Sequence, residues 1–462
     1  MAIHRILIAN RGEIAARIIR TCRALDIESV LAVSSADRDS EPARQADRVV
    51  CVGPARAADS YLNAPAMVHA AVATGADAIH PGYGFLSERA VLPRLCAAAG
   101  IVFIGPTADQ LAAIGDKLRA RAEAEAAGIP VVPGGAANSR AEAEVLAGNI
   151  AAPLLIKAVG GGGGRGLKLV ERLEDLPALL DLGAAEAGAA FGDARLYLER
   201  FIDRARHVEV QILGDGAGRV IQLGERDCSV QRRYQKLIEE TPAMGLSAAL
   251  RNSLLQAAVR FARRLAYRGA GTVEFIVDAQ RESFYFLEMN ARIQVEHPVT
   301  EAVTGIDLIA EQIAIADGSG LRLQQADVRI EGCAIECRVN AEDYRNDFKP
   351  SPGWVRNVTW PTGAGIRVDS HVVPGSSIPP FYDSLMGKII ASGPDRAGAL
   401  ARLRGAIAVT RISGVKSNLG FHGAVLEDPE FQAGGVDTGF VDRLYARRQD
   451  LSEQGEAGAA HG

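Results

Sequence analysis

The sequence predicts a multidomain chain that combines α/β and α+β architecture, and three patterns carry that prediction. Apolar strand-like runs alternate with helix-like segments near the N-terminus, a glycine run interrupts a β-rich centre, and short strands and turns fill the last third. The expected layout is an N-terminal doubly wound α/β domain over 1–112, a central domain over 113–330 with a glycine-rich lid at about 131–202, and a C-terminal mixed α+β domain over 331–447. A polar, Gly/Ala-rich stretch over 448–462 is expected to be a disordered tail.

Taken in chain order, the strand Ile3 to Ala9 runs through the turn Asn10-Arg-Gly-Glu13 into the helix-like Ile14 to Ile19, and Ser29 to Ser34 forms the next strand. Ala78 to Glu88 and the strand Val102 to Ile104 complete this unit. Its first turn lacks G-x-G-x-x-G, so dinucleotide binding is not supported. Helical sequence from Asp116 to Ala127 ends at the breaker Gly128-Ile-Pro130. The strand Leu154 to Lys157 then leads to Gly160-Gly-Gly-Gly-Gly164-Arg165-Gly166. Consecutive glycines expose N–H groups that can wrap phosphate oxygens, and Lys157 and Arg165 add positive charge. The pattern is not a Walker loop, and a flap closing over a nucleotide explains it better than a linker.

After a strand at Leu196 to Leu198 and a β-rich stretch from His207 to Leu223 comes the charged block Glu225 to Glu240. It reads either as a salt-bridged surface loop or, beside a metal and a polyphosphate, as a source of neutralising cations. Gly271 to Asp278 and Phe284 onward form a hairpin around Ala279 to Ser283. Pairing Asp278 with Phe284 puts Glu274 opposite Glu288, roughly 5 Å away, and strand alternation puts Phe284, Phe286, Glu288 and Asn290 on one face, with Tyr285, Leu287 and Met289 on the other. Two facing carboxylates need a divalent cation, with Asn290 as a third oxygen, or else a shared proton or solvent. Further on, turns at Pro350 to Gly353 and Val373 to Gly375 precede a helix from Ala397 to Val409.

Composition bounds the function. With 48% hydrophobic residues and a net charge of -5, the chain is expected to be soluble and not to bind nucleic acid. It has no apolar run near the roughly 20 residues that span a bilayer and no signal-peptide pattern, so no membrane association is expected. Six scattered cysteines, with Cys333 and Cys337 expected as buried thiols, suit a cytoplasmic setting. Of 51 basic residues only seven are lysines (117, 157, 168, 236, 349, 388 and 416), which marks those positions as candidates for roles that need a compact ammonium.

The chain resembles the biotin carboxylases, members of the ATP-grasp superfamily, from Ile8 to about Phe440. The resemblance rests on His80 to Ser87, Phe103 to Pro106, Gly115-Asp-Lys117, Lys157 with the glycine run, Glu225 to Glu240, Glu288 to Glu301, Ile335 to Asp343 and Pro350 to Gly353. It implies that the central domain is an ATP-grasp fold and that the last is a biotin carboxylase C-terminal domain. It further implies that Lys117 and Lys157 bind ATP phosphates beneath Gly162, Gly163 and Gly164, and that Glu199, Arg200, Phe201, Ile202 and His207 frame adenine and ribose near Gln231 and Tyr234. Glu274, Glu288 and Asn290 would hold Mg²⁺ or Mn²⁺. Lys236, Arg292, Gln294 and Val295 would cradle bicarbonate, Glu296 would deprotonate it, and Arg338 would steady the ureido oxygen of biotin in a pocket lined by Tyr83 and Gly84.

The implied reaction is ATP-dependent carboxylation of biotin through carboxyphosphate, the first half-reaction of an acyl-CoA carboxylase. Implied partners are a separate biotin carboxyl carrier protein, since no Met-Lys-Met site occurs in these residues, carboxyltransferase subunits, and a second copy in a homodimer. Tyr234 stands where the family usually has histidine, Arg200 where lysine is common and Ala291 where threonine is frequent. The competing readings are another ATP-grasp ligase that activates a different carboxylate, against which the Arg338 segment argues, and a nucleotide-binding subunit without catalysis.

Overall fold

The computed structural model describes residues 2–137, 139–159, 167–192, 194–278 and 280–447. Gly162, Gly163 and Gly164, and the stretch expected as a disordered tail, lie outside the described residues. No helix among the described residues is long and apolar enough to cross a membrane.

Strands β1 (Arg5–Ile8), β2 (Glu28–Ser34), β3 (Arg48–Gly53), β4 (Ala78–His80) and β5 (Val102–Phe103) form a parallel sheet in the order β3-β2-β1-β4-β5. Its strands are apolar on both sides because both faces are covered: Leu7, Val30 and Ile79 enter one core, while Ile6, Leu31 and Ala78 enter another. Helix α1 (Gly12–Ala24) follows β1 directly, as the doubly wound reading requires.

Strands β6 (Gly134–Ala137), β7 (Leu154–Ala158), β8 (Lys168–Val170) and β9 (Leu196–Arg200) build an antiparallel sheet ordered β6-β9-β7-β8. Along β7, Leu154, Ile156 and Ala158 are buried in a core with Leu176 and Leu180, so alternation turns Lys157 to the other face.

The third sheet comprises β10 (Arg206–Asp215), β11 (Val220–Arg232), β12 (Gln235–Thr241), β13 (Arg268–Asp278), β14 (Ser283–Asn290), β15 (Cys333–Asn340), β16 (Ile366–Ser370) and β17 (Leu385–Gly393). Its order is β14-β13-β10-β11-β12-β15-β17-β16. The charged block is therefore not a surface loop but the β11–β12 hairpin, and most of it is buried. Pairing of β12 with β15 makes this sheet continuous across residues 330 and 331, where the sequence suggested a boundary. Five of the six cysteines are buried, Cys333 and Cys337 among them, and all are free thiols.

The β13–β14 hairpin carries a correction. Asp278 pairs with Ser283 and Phe275 with Phe286, one residue off the expected register, and an irregularity between Glu274 and Phe275 then absorbs Leu287 so that Glu274 faces Glu288. The extra residue inverts the phase of β14. Phe284, Phe286 and Met289 enter the core together, Phe286 also touching the cavity wall, whereas pairing with Glu274 and Thr272 turns Glu288 and Asn290 to the opposite face, into the cavity. The aromatic and acidic residues therefore do not share a side.

Candidate active site

One cavity of about 1120 Å³ lies where the three sheets meet, and every site residue named from the sequence that falls within the described residues lines it. At one end, Lys117 opens helix α2 (Lys117–Ala126), with Asp116 capping the Arg119 amide. Burial lowers the Lys117 pKa against the opposing pull of Glu288. Lys157 forms an ion pair with Glu199 of the neighbouring strand. Arg200 donates to the Tyr285 hydroxyl at 3.0 Å, which directs the segment through Phe201 and Ile202 along the wall. His207, Gln231 and Tyr234 continue that wall. Arg233 and Tyr234 form a two-residue turn closing Arg232 on Gln235, both at positive φ (49° and 65°), a conformation normally left to Gly or Asn. Strand pairing holds Tyr234 there, 55% exposed at the edge of the cavity.

A row of carboxylates runs from the buried Glu209 behind the wall to Glu274 and Glu288 in the middle of the cavity. Glu209 on β10 pairs with Glu274 on β13, which pairs with Glu288 on β14. Fully buried Arg226 meets Glu209 at 2.6 Å. Lys236 reaches in from β12 and joins Glu209, Glu274 and Glu296 at 2.5, 2.9 and 2.7 Å. Burial alone would lower the pKa of this ammonium, but Cys228 and the three carboxylates raise it well above the usual lysine value. Burial likewise pushes Glu274 up, yet Lys236 and His207, 3.0 Å away, hold it below the ordinary carboxylate range. Glu274 further accepts from the Asn290 amide at 2.8 Å.

The Glu288 carboxylate has no hydrogen-bond partner among the described residues, and burial together with Glu274 raises its pKa against the pull of Lys117. With the Asn290 amide oxygen, 3.0 Å from Arg292, the donor set is two carboxylates and an amide oxygen, one carboxylate lacking a partner. Those are ligands that suit a hard divalent cation, so the residues present fit the group the sequence suggested.

At the far end, Glu296 is the N-cap of helix α3 (His297–Thr304) and is completely buried. Lys236 holds one of its oxygens and Arg338 the other at 2.9 Å. Burial favours the protonated acid, but Lys236, Arg338 and Arg226 keep Glu296 well below the ordinary carboxylate pKa. Arg338 also donates to Glu239 at 2.6 Å, and burial pushes Glu239 up to about 7 despite Arg338. Arg292 is held by Glu88 at 3.0 Å and donates to the Gln294 side chain at 2.8 Å. Val295, Tyr83 and Gly84 complete this end. Sequence reasoning missed Glu209, Glu239 and Arg226 as members of the charge network. Glu209 had a signal, since it lies two residues after His207 on one strand and so shares its face.

Family models match three consecutive segments: the biotin carboxylase N-terminal domain over 2–111, the ATP-binding domain of the carbamoyl-phosphate synthase L chain over 116–324, and the biotin carboxylase C-terminal domain over 336–443. The chain is 50% identical to a biotin carboxylase of Nostoc sp., over 96% of this chain and 100% of that one. It is 48% identical to biotin carboxylase 1 of Bacillus subtilis, over 95% and 98%. Among solved structures, a Campylobacter jejuni biotin carboxylase bound to a β,γ-ATP compound superimposes with TM-score 0.93 at 44% identity, covering 96% of this chain and 99% of that one. The biotin carboxylase domain dimer of Hydrogenobacter thermophilus 2-oxoglutarate carboxylase, in complex with MgADP, ADP and bicarbonate, gives 0.92 at 42% identity, covering 96% and 98%.

Proposed function

The chain belongs to the biotin carboxylase family, and from that premise we propose that it uses ATP and bicarbonate to carboxylate biotin borne on a separate carrier protein. The observation that supports this most strongly is Glu296, a buried carboxylate held between Lys236 and Arg338 at one end of a cavity whose other end carries Lys117 and Lys157. In this reading an ATP-binding site and a bicarbonate base share one cavity. The product feeds a carboxyltransferase as the first half-reaction of an acyl-CoA carboxylase. We further assign a homodimeric assembly and a cytoplasmic setting.

In this reading Lys117 and Lys157 bind the phosphates, and Arg200, Phe201, Ile202, His207, Gln231 and Tyr234 surround the nucleoside. Glu274, Glu288 and Asn290 would hold Mg²⁺ or Mn²⁺, which when bound screens phosphate charge and polarises the γ-phosphoryl group. Arg292, Gln294, Val295 and Lys236 receive bicarbonate. Glu296 takes its proton as the bicarbonate oxygen attacks the γ-phosphorus, giving carboxyphosphate and ADP. A carboxylate held so far below its usual pKa is a weak base. Bicarbonate entering beside Lys236 and Arg338 divides their positive charge between two anions, which raises the basicity of Glu296 as its substrate arrives. Carboxyphosphate then yields CO₂ and phosphate, the phosphate removes the biotin N1 proton, and N1 captures CO₂ while Arg338 stabilises the ureido oxygen. Burial of this end keeps water from the intermediate.

Purified protein with MgATP is expected to release ADP only with bicarbonate, faster with free biotin. ATP binding without ADP release would instead identify a non-catalytic nucleotide-binding subunit. Tyr234, at the rim, is expected to contact the ribose more weakly than the family histidine. Tyr234→His should therefore lower the KM for ATP at little changed kcat, and an unchanged KM would remove Tyr234 from the nucleotide site.

A further inference from the structure

Lys388 is one of seven lysines in a chain rich in arginine, and it is completely buried on β17, opposite Arg338 of β15. Its ammonium donates to the Val295 carbonyl at 2.6 Å and pairs with Glu13 of α1 at 3.1 Å. The same Glu13 oxygen accepts the hydrogen bond of the Tyr83 hydroxyl. One residue upstream, the Gln294 carbonyl lies 2.7 Å from His297 Nδ1. Burial, reinforced by Lys388, Arg17 and Arg367, keeps that imidazole neutral, so Nδ1 carries the proton that it donates. Two consecutive carbonyls of the turn that presents Gln294, Val295 and Glu296 are thus held from behind, by groups outside the cavity.

We infer that Lys388 is a positioning residue for the bicarbonate step: it fixes the peptide unit that joins Val295 to Glu296 and, through Glu13, ties that turn to Tyr83 in the same cavity. The inference rests on the function proposed above. Its physical basis is geometric. Lys236 and Arg338 hold the Glu296 carboxylate from the front, but a carboxylate on an unanchored turn could follow them away from bicarbonate, and small displacements of a reacting group are costly in rate. A compact ammonium also suits this place better than a guanidinium, because Lys388 must meet a carbonyl and a carboxylate in a packed sheet interior. The competing explanation is that Lys388 only neutralises buried acids: Glu13, whose second oxygen has no hydrogen-bond partner, and Glu336, neither of whose carboxylate oxygens has one among the described residues.

The test compares Lys388→Met, Glu13→Gln and the double variant in the full chain, measuring Tm together with kcat and KM for bicarbonate and for ATP. Lys388→Met should lower kcat/KM for bicarbonate on the order of tenfold to a hundredfold, with KM for ATP changed less than about twofold. It should also lower Tm, because Glu13, still bonded to Tyr83, is left buried without its counter-ion. In the double variant Tm should return toward the wild-type value while kcat/KM for bicarbonate stays low. Recovery of both together would overturn the inference and leave Lys388 as a counter-ion. If Lys388→Met does not fold, the double variant compared with Glu13→Gln carries the same contrast. A wild-type protein without bicarbonate-dependent ADP release would overturn the functional reading itself, whatever the variants do.

Discussion

Glu296→Ala is expected to abolish bicarbonate-dependent ADP release, by about 10²–10⁴-fold, while ATP affinity stays close to wild type. The size of the effect follows from the position of Glu296, the buried carboxylate that Lys236 and Arg338 both address. The folded state should tolerate the change, because each cation keeps other partners: Lys236 retains Glu209 and Glu274, and Arg338 retains Glu239. Steady-state ADP release and equilibrium binding of ATP separate the two effects. Loss of ATP binding alongside turnover would show that Glu296 supports the whole cavity and would remove it as the base.

Lys236→Met should be the most destabilising single change in the site. It leaves Glu209, Glu274 and Glu296 facing one another without their shared cation, and breaking a buried charge network by removing one partner costs about 3–5 kcal/mol. The loss should depend on pH, and its sign can be worked out. In the wild type, Glu274 and Glu296 have folded pKa values below the ordinary range, so their contribution is present above the unfolded carboxylate pKa and is lost as pH falls through the folded values. In the variant the three carboxylates keep Arg226, His207 and Arg338 but lose the ammonium they share, so they shift upward and protonation relieves their repulsion as pH falls. Between about pH 8 and pH 5 the wild-type contribution is intact, so the shift in the variant alone narrows the gap, and the Tm deficit should be larger near about pH 8 than near about pH 5. A deficit independent of pH would mean that packing of the lysine stem, rather than its charge, stabilises the site. Turnover should be lost at every pH, since the same ammonium is proposed to receive bicarbonate.

Much of this site was legible because strand alternation and family motifs constrain it from two directions. The parallel N-terminal sheet followed from apolar runs separated by helical segments, and Glu274 facing Glu288 followed from hairpin length. The register was nevertheless reached by a different route. A bulge at Leu287 leaves no compositional mark, so the sequence suggested one face for Phe286 and Glu288 where the structure gives them two. The charged block Glu225 to Glu240 looked too polar for an interior, because its partners come from distant segments: Arg226 meets Glu209, Lys236 meets Glu274 and Glu239 meets Arg338. Burial of a charge depends on what the fold brings to it, which spacing along the chain does not encode. Lys388 stood out only as one of seven lysines, and its role was hidden for the same reason, since its partners lie 93 residues away at Val295 and on the first helix at Glu13.

The central claim is that Glu296 and its cations activate bicarbonate for transfer to biotin, and label transfer tests it most directly. Wild-type protein, MgATP, radiolabelled bicarbonate and biotin should give acid-labile label on biotin N1 with ADP formed in step, and Glu296→Ala should give neither. ADP formation with bicarbonate but no label on biotin, or labelled biotin from Glu296→Ala at the wild-type rate, would contradict it.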